Sequence, residues 1–480
     1  MNNDSGFGQL AEAVAREIEP LPAGTRIPTH RELVRRFSVS ATTVAHALSL
    51  LAQQGLIESR PGAGSYRTQA RPVARAGDTS WQQAALELAG PGDGAAEPLR
   101  RFDATGLLAT LAAAHPDVID LNGGYLHPEL QPLPMLSAAL SRAARRPAAW
   151  DRPAPGGLPD LRDWFAADIG GGLGRHDILV GEGGQNAMAT ALRALTQPGD
   201  PVVVESPTYP GTVAAARAAG LHPVAVPLDG EGMRPDYLDE VLGRTRARVV
   251  AVQPQYQNPT GISLSPQRGQ ELVAIARQHG AFVIEDDYAR HMTHQDAGPV
   301  PPPLIAGDAD GVVVHIRSLT KVTSPNLRVG ALAARGPVMA RLRAAVIIDT
   351  MLVPAPLQFT ALEVVTAPGW RRALATLAKS LRHRRGVATS AVTATFGPGA
   401  LAHHPRGGYH LWVALPAHAD SRQFAAAALA SGVCLTPGDN YYPSGNGSPH
   451  VRISYSAAPA PADINDAIGR LSSIMADAAT

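Results

Sequence analysis

Between residues 7 and 69, apolar positions recur at helical spacing and are interrupted by short polar breaks. Val14 and Ile18 lie one turn apart within Ala11–Glu19, and ProAlaGlyThrArgIlePro (22–28) breaks the pattern. Thr29 can cap a helix running through Leu33 and Phe37, with Glu32 three residues on to complete a capping box. Ser40 can cap the next helix, whose predicted buried stripe is Val44, Leu48 and Leu51, and Gly55 closes it. LeuIleGluSer and the residues up to Tyr66 then read as two short strands around a tight turn. The predicted order is that of a winged helix-turn-helix.

Residues 70–101 carry Pro, Gly and Ala with little periodicity and read as a linker, with a possible short helix at Trp81–Leu88. From 102 to 480 the pattern changes. Short apolar runs such as Val202–Val204, Val249–Val252, Phe282–Ile284 and Val312–Val314 are separated by alanine-rich stretches of helix length. Continuous apolar runs spaced in this way predict parallel strands buried on both faces of an α/β domain. ProValProProPro (299–303), between two such runs, predicts a rigid loop.

Composition narrows the picture. Of 480 residues, 45% are hydrophobic and 17% charged, which supplies a large core and excludes global disorder. A net charge of +1 excludes nucleic-acid binding by bulk charge and leaves local patches. With one cysteine, Cys434, neither an intramolecular disulfide nor a cysteine-rich zinc site can form. The polar start, Met1–Leu10, and the lack of a long apolar run predict a cytoplasmic protein with no membrane contact. His403, His404 and His410 are too loosely spaced to argue for a metal, and none is expected.

The N-terminal zone resembles the GntR-type DNA-binding domain over residues 9–67. ProAlaGlyThrArgIleProThrHisArgGluLeu (22–33), ValSerAlaThrThrVal (39–44) and GlyAlaGlySerTyr (62–66) carry the likeness. It implies contacts to double-stranded operator DNA from Arg31, Thr42, Thr43 and His46 in the groove. Arg26, Arg35 and Arg36 would lie nearer phosphate, and the wing at Gly64 in the minor groove. Residues 21–40 hold four arginines and one glutamate, a patch suited to phosphate. Ala41 stands where the family usually has arginine, so one strong donor is missing.

Further along, five segments have the chemistry of a phosphorylated aldehyde cofactor. SerLeuThrLys (318–321), with Arg328, offers an amine for the aldehyde and a hydroxyl and guanidinium for phosphate. PheValIleGluAspAspTyr (282–288) ends a strand in carboxylates, one of which can keep a pyridine nitrogen protonated. GlnAsnProThrGly (257–261) offers an amide for a ring hydroxyl, and SerProThrTyrProGly (206–211) an aromatic face. GlyGluGlyGlyGlnAsnAla (181–187) offers backbone amides at a helix start. In this order the segments resemble the class I/II aminotransferases of fold type I. The whole chain resembles the MocR subfamily of GntR regulators, in which a winged helix-turn-helix is joined by a linker to an aminotransferase-like domain that binds pyridoxal 5′-phosphate (PLP).

That resemblance implies Lys321 as the lysine joined to the cofactor, Asp286 at the pyridine nitrogen and Tyr209 stacked on the ring. Asn258 and Tyr288 would meet the ring hydroxyl, while Gly184, Gln185, Ser318 and Arg328 would hold the phosphate. Arg452, in HisValArgIleSerTyr, would grip an effector or substrate carboxylate. The expected partners are a small amine or amino-acid effector and a second copy in a head-to-tail dimer. Where the family has a tyrosine that reaches the neighbouring subunit's cofactor, this chain has Arg152, which puts that contact in doubt. Two functions suit these residues: a regulator that senses an amine or PLP itself, or an active aminotransferase with a DNA-binding appendage. A cofactor-free scaffold is disfavoured by the intact lysine. The N-terminal domain favours the regulator, because a metabolic enzyme has no evident use for it.

Overall fold

The computed structural model describes residues 4–60, 63–68, 82, 100–111, 115, 117–445 and 447–478. The chain divides into two compact units, Met1–Ala96 and Glu97–Thr480. The boundary falls inside the 70–101 linker assignment, which, with its short helix, lies almost wholly outside the described residues.

The first unit contains helices α1 (Asp4–Ile18), α2 (His30–Phe37) and α3 (Ala41–Gln53) and the hairpin β1 (Ile57–Arg60) and β2 (Gly64–Arg67). The capping box at Thr29 forms: Thr29 Oγ1 accepts from the Glu32 amide, and the Thr29 amide donates to Glu32 Oε2 at 2.7 Å. Ser40 Oγ accepts from the Thr43 amide at 3.1 Å and starts α3. The core is Leu10, Val14, Ile18, Ile27, Leu33, Val44, Ala47, Leu51 and Ile57. Leu48, predicted to be buried, is only half-buried, and Ala47 takes the inner position beside Val44. Val44 and Leu51 keep their predicted places; only the middle of the α3 stripe shifts by one residue, to Ala47, where α3 packs closely on α1.

In the second unit an eight-stranded sheet has the order β4-β11-β10-β9-β8-β5-β6-β7. Its members are β4 (Ile178–Gly181), β5 (Pro201–Ser206), β6 (His222–Asp229), β7 (Gly232–Met233), β8 (Val249–Val252), β9 (Phe282–Asp287), β10 (Val313–Ser318) and β11 (Gly330–Ala333). The five central strands are parallel; β11, β4 and β7 run antiparallel to their neighbours. Alternate residues feed two apolar layers. Val203, Val250, Val283 and Val313 enter one, and Val202, Val204, Ala251, Ile284 and Val314 the other. Burial on both faces is the physical reason for the unbroken apolar runs. β3 (Ile119–Asp120) pairs in parallel with β13 (Val433–Cys434). A smaller antiparallel sheet joins β12 (His410–Ala414), β15 (His450–Ser454) and β14 (Thr436–Pro437). Residues 299–303 form no regular element, in keeping with the predicted loop. Among the described residues no helix is long and apolar enough to cross a membrane.

Candidate cofactor and DNA sites

In parallel sheets the carboxyl ends of the strands open into a crevice where ligands bind, and the cofactor candidates gather there. Asp286 lies near the end of β9, and Ser318 ends β10, three residues before Lys321. Tyr209 follows β5 and begins the helix Pro210–Ala218, and Asn258 lies in the loop after β8. Gly184 opens the helix Gly184–Leu195 after β4. Arg328, in the left-handed region at φ 49°, leads into β11. One cavity is lined by all nine predicted cofactor residues: Lys321, Asp286, Tyr209, Tyr288, Asn258, Gly184, Gln185, Ser318 and Arg328. Tyr125, Met188, Thr212, Gln253, Thr320 and Tyr409 complete the wall. Sequence reasoning missed these six; only Thr320, beside Lys321, stood in a motif already singled out.

The electrostatics of the cavity follow from burial. Lys321 Nζ donates to Gly124 O at 2.6 Å and lies 4.1 Å from the centre of the Tyr125 ring. Burial draws its ammonium down to about 8, with Tyr125 opposing the shift. Burial pushes the Asp286 carboxyl up to about 6, and a hydrogen bond from Gln253 opposes it. Gln253 Nε2 donates to Asp286 Oδ2 at 2.7 Å, while Asp286 Oδ1 has no partner. Burial also raises the Tyr209 phenol. Arg452, on β15, is 1% exposed; its Nη1 donates to Asn258 Oδ1 at 3.3 Å, its Nη2 to Asn122 O, and its Nε is unpartnered.

These groups fit PLP. Asp286 Oδ1 is a buried acceptor with nothing bound to it, as a protonated pyridine nitrogen requires. The helix Gly184–Leu195 has no side-chain cap at Gly183, so its first amides are free for an anion. Gly184 faces Asp286, Ile316 and Ser318, and a Cβ there would stand 3.8–3.9 Å from them, at ordinary contact distance inside the cavity wall. Thr320 Oγ1 is a further unpartnered buried hydroxyl.

The structure refines two assignments. Tyr288 OH donates to Tyr256 O at 2.7 Å, so its proton is already committed and only its oxygen can face a ring hydroxyl. Gln185 Nε2 donates to Gly211 O at 2.9 Å, which leaves its backbone amide as the phosphate donor. Arg152 is exposed on the surface of the chain and does not line the cavity. On the opposite sheet face, β9 and β10 bury an ionic layer that the sequence did not announce. His315 Nδ1 lies 2.7 Å from Glu285 Oε2, and Arg317 Nη2 lies 3.4 Å from Asp287 Oδ2.

In the first unit Arg26, Arg31, Arg35, Thr42 and His46 are exposed. Thr43 is half-buried and its hydroxyl meets Ser40 Oγ at 2.8 Å; His46 meets the Phe7 ring edge-on at 5.7 Å. Arg36 is ion-paired with Glu17, which lowers its availability to phosphate. Gly64, at φ 102°, passes close to Arg26: a Cβ there would lie 2.9 Å from Arg26 Nε. Replacing exposed Arg31 with alanine is expected to weaken duplex binding by about tenfold or more, on the order of 1–3 kcal/mol, with unchanged melting temperature. Fluorescence anisotropy with labelled DNA checks this; equal affinity would remove Arg31 from the interface.

The sequence profile described as "Aminotransferase class I and II" matches residues 116–471. The chain belongs to that family. The profile "Bacterial regulatory proteins, gntR family" matches residues 8–66, and the two together give the composition of the MocR subfamily. Members of the aminotransferase family depend on PLP. The chain is 27% identical to the uncharacterized HTH-type transcriptional regulator YdfD of Bacillus subtilis over 91% of this chain and 89% of that protein. It is also 27% identical to the uncharacterized HTH-type transcriptional regulator YdcR of Escherichia coli, over 93% of this chain and 94% of that one. Among solved structures, the α-aminoadipate aminotransferase LysN of Thermus thermophilus, complexed with N-(5′-phosphopyridoxyl)-L-leucine, superimposes with a TM-score of 0.74. That match is 26% identical and covers 83% of this chain and 99% of LysN.

Proposed function

We propose that this chain is a PLP-dependent, DNA-binding transcription regulator whose aminotransferase-like domain senses a small amine or amino acid, or PLP itself. The observation that carries the reading is that both halves stand in one chain. A capped helix-turn-helix with its wing precedes a cavity lined by every residue expected to hold the cofactor. The naming of full-length relatives as HTH-type transcriptional regulators supports the same reading.

When bound, PLP supplies an aldehyde that captures amines and an electron-poor ring. The protein's own groups do the rest. Lys321, drawn down to about 8, is neutral in about a tenth of molecules at pH 7. Asp286 Oδ1, buried and unpartnered, would receive the pyridine N–H, and Tyr209 would cover the ring. Arg328, Ser318 and the first amides of the helix Gly184–Leu195 would hold the phosphate. Arg452 presents a buried guanidinium to the effector's carboxylate. An amine held in the cavity would change the charge and packing around Lys321, beside Tyr125 and Tyr409. That difference between ligand states can bias the DNA-binding unit. Assembly as a head-to-tail dimer on paired operator half-sites, in the cytoplasm, belongs to the same proposal.

The test is to follow the visible absorbance of the PLP-loaded protein and its retention of promoter DNA while amines are added. An amine that shifts the band and alters DNA retention without accumulating keto acid is the expected result. Keto acid formed over many turnovers, with DNA binding indifferent to the amine, would establish the aminotransferase reading instead. That second reading has its own support in the joint presence of Lys321, Asp286 and Arg452.

A further inference from the structure

We propose that Gln253 is a positioning residue for the cofactor ring, fixing at once the carboxylate that meets the pyridine nitrogen and the loop that presents an amide to the ring hydroxyl. The inference rests on the reading that the cavity holds PLP. Gln253 follows β8 and is 5% exposed. Its side-chain amide has one donor end and one acceptor end, and both are used. Nε2 donates to Asp286 Oδ2 at 2.7 Å, and Oε1 accepts from the Asn258 backbone amide at 3.0 Å. Gln253 is itself held, since its backbone amide donates to Glu205 Oε2 at 3.1 Å.

The consequences reach both edges of the ring. With Oδ2 engaged, Asp286 turns its other oxygen, unpartnered and buried, toward the cavity. With its backbone tied to Gln253 and its Oδ1 accepting from Arg452 at 3.3 Å, Asn258 has its Nδ2 left as the donor for a ring oxygen. One glutamine thus sets the spacing between the two ring contacts and links them to the guanidinium assigned to the ligand's carboxylate. A glutamate at 253 would place a second carboxylate against Asp286, and a leucine would leave both Asp286 Oδ2 and the Asn258 amide without a partner in a dry site. No other residue type of that length supplies one donor and one acceptor there without charge.

The experiment uses the full-length protein with PLP as the probe. Uptake is titrated by visible absorbance in wild type, Gln253→Leu, the equally sized Gln253→Glu, Asp286→Asn, and Gln253→Leu combined with Asp286→Asn. A lost hydrogen bond to a charged group predicts PLP binding weakened by about ten- to a hundredfold in Gln253→Leu and in Gln253→Glu. The pH midpoint of the bound cofactor's visible band should rise as well, because a less firmly held carboxylate leaves the ring less electron-poor. In the Asp286→Asn background the leucine change should cost less, since the arm acting through Asp286 is already gone and only the tie to Asn258 remains to be lost. The proposal is overturned if both single variants bind PLP like wild type with an unmoved midpoint. Equal losses with and without Asp286→Asn also overturn it. A wild-type protein that takes up no PLP would remove the cofactor reading and this inference with it.

Discussion

Lys321→Ala protein is expected to show no stable visible band with PLP, while wild type acquires one. Only the neutral amine attacks an aldehyde, and Lys321 is the one lysine at the cavity. Burial draws its pKa from 10.5 to about 8. Below that midpoint the neutral fraction falls about tenfold per pH unit. The rate of band formation in wild type should therefore climb about tenfold per unit up to about pH 8 and level off above it. Stopped-flow absorbance measures this directly, and a rate that does not change between about pH 6 and 8 would contradict it. The alanine variant keeps Arg328, Ser318 and the free helix amides, so PLP should still bind weakly through its phosphate. Competition by inorganic phosphate against residual PLP binding would show that the holding and capturing groups are separate.

Glu205→Gln is expected to stabilise the second unit, with a gain that depends on pH. Glu205 is 1% exposed at the end of β5, and burial pushes its carboxyl from 4.5 up to about 8. The Gln253 amide, 3.1 Å from Oε2, and Gln257 Nε2, 3.3 Å from it, oppose the shift without reversing it. The sign follows from proton linkage. Below 4.5 the side chain is protonated in folded and unfolded chains alike and costs nothing. Between 4.5 and about 8 the unfolded chain loses the proton and the folded one keeps it, so the wild-type residue destabilises the fold increasingly as pH rises. At neutral pH this amounts to about 3 kcal/mol, at about 1.4 kcal/mol per unit. Glutamine preserves an oxygen acceptor for both donors and carries no such cost. Urea unfolding of both proteins should show the variant ahead at pH 8 and level near pH 4. A variant that is less stable at both would refute the buried neutral carboxyl.

The order of elements was legible in the sequence because its determinants are local. Thr29 and Glu32, or Ser40 and the Thr43 amide, lie within one helical turn, so residue type and spacing suffice to specify the cap. The runs at Val202, Val249, Phe282 and Val312 are unbroken because both sheet faces are covered, which identifies them as inner strands. The edge strand β4 (IleLeuValGly) and its neighbour β11 (GlyAlaLeuAla) are as buried as the inner strands but were not singled out; Gly181 and Gly330 stand at their paired ends. Lys321, Asn258, Tyr209 and Arg328 could be named in advance because each sits in a short motif whose chemistry matches one part of one cofactor; the choice of Asp286 among the carboxylates of 282–288 came from the family resemblance.

Docking of the elements settled what each group has left to give. Tyr125 and Tyr409 enter the site from segments far from Lys321 in sequence, with no neighbouring residue to mark them. Gln253 reads as an ordinary polar residue until β8 is laid beside β9, which puts its amide 2.7 Å from Asp286. The same docking ties up Tyr288 OH, Gln185 Nε2 and Arg36, which by residue type alone were free to bind ligand. The sequence by itself determined which residue types stand near each strand end. The tertiary structure alone decided which of their hydrogen-bonding atoms remain unpaired, because burial withdraws water and leaves each donor and acceptor only the partners that the fold places beside it.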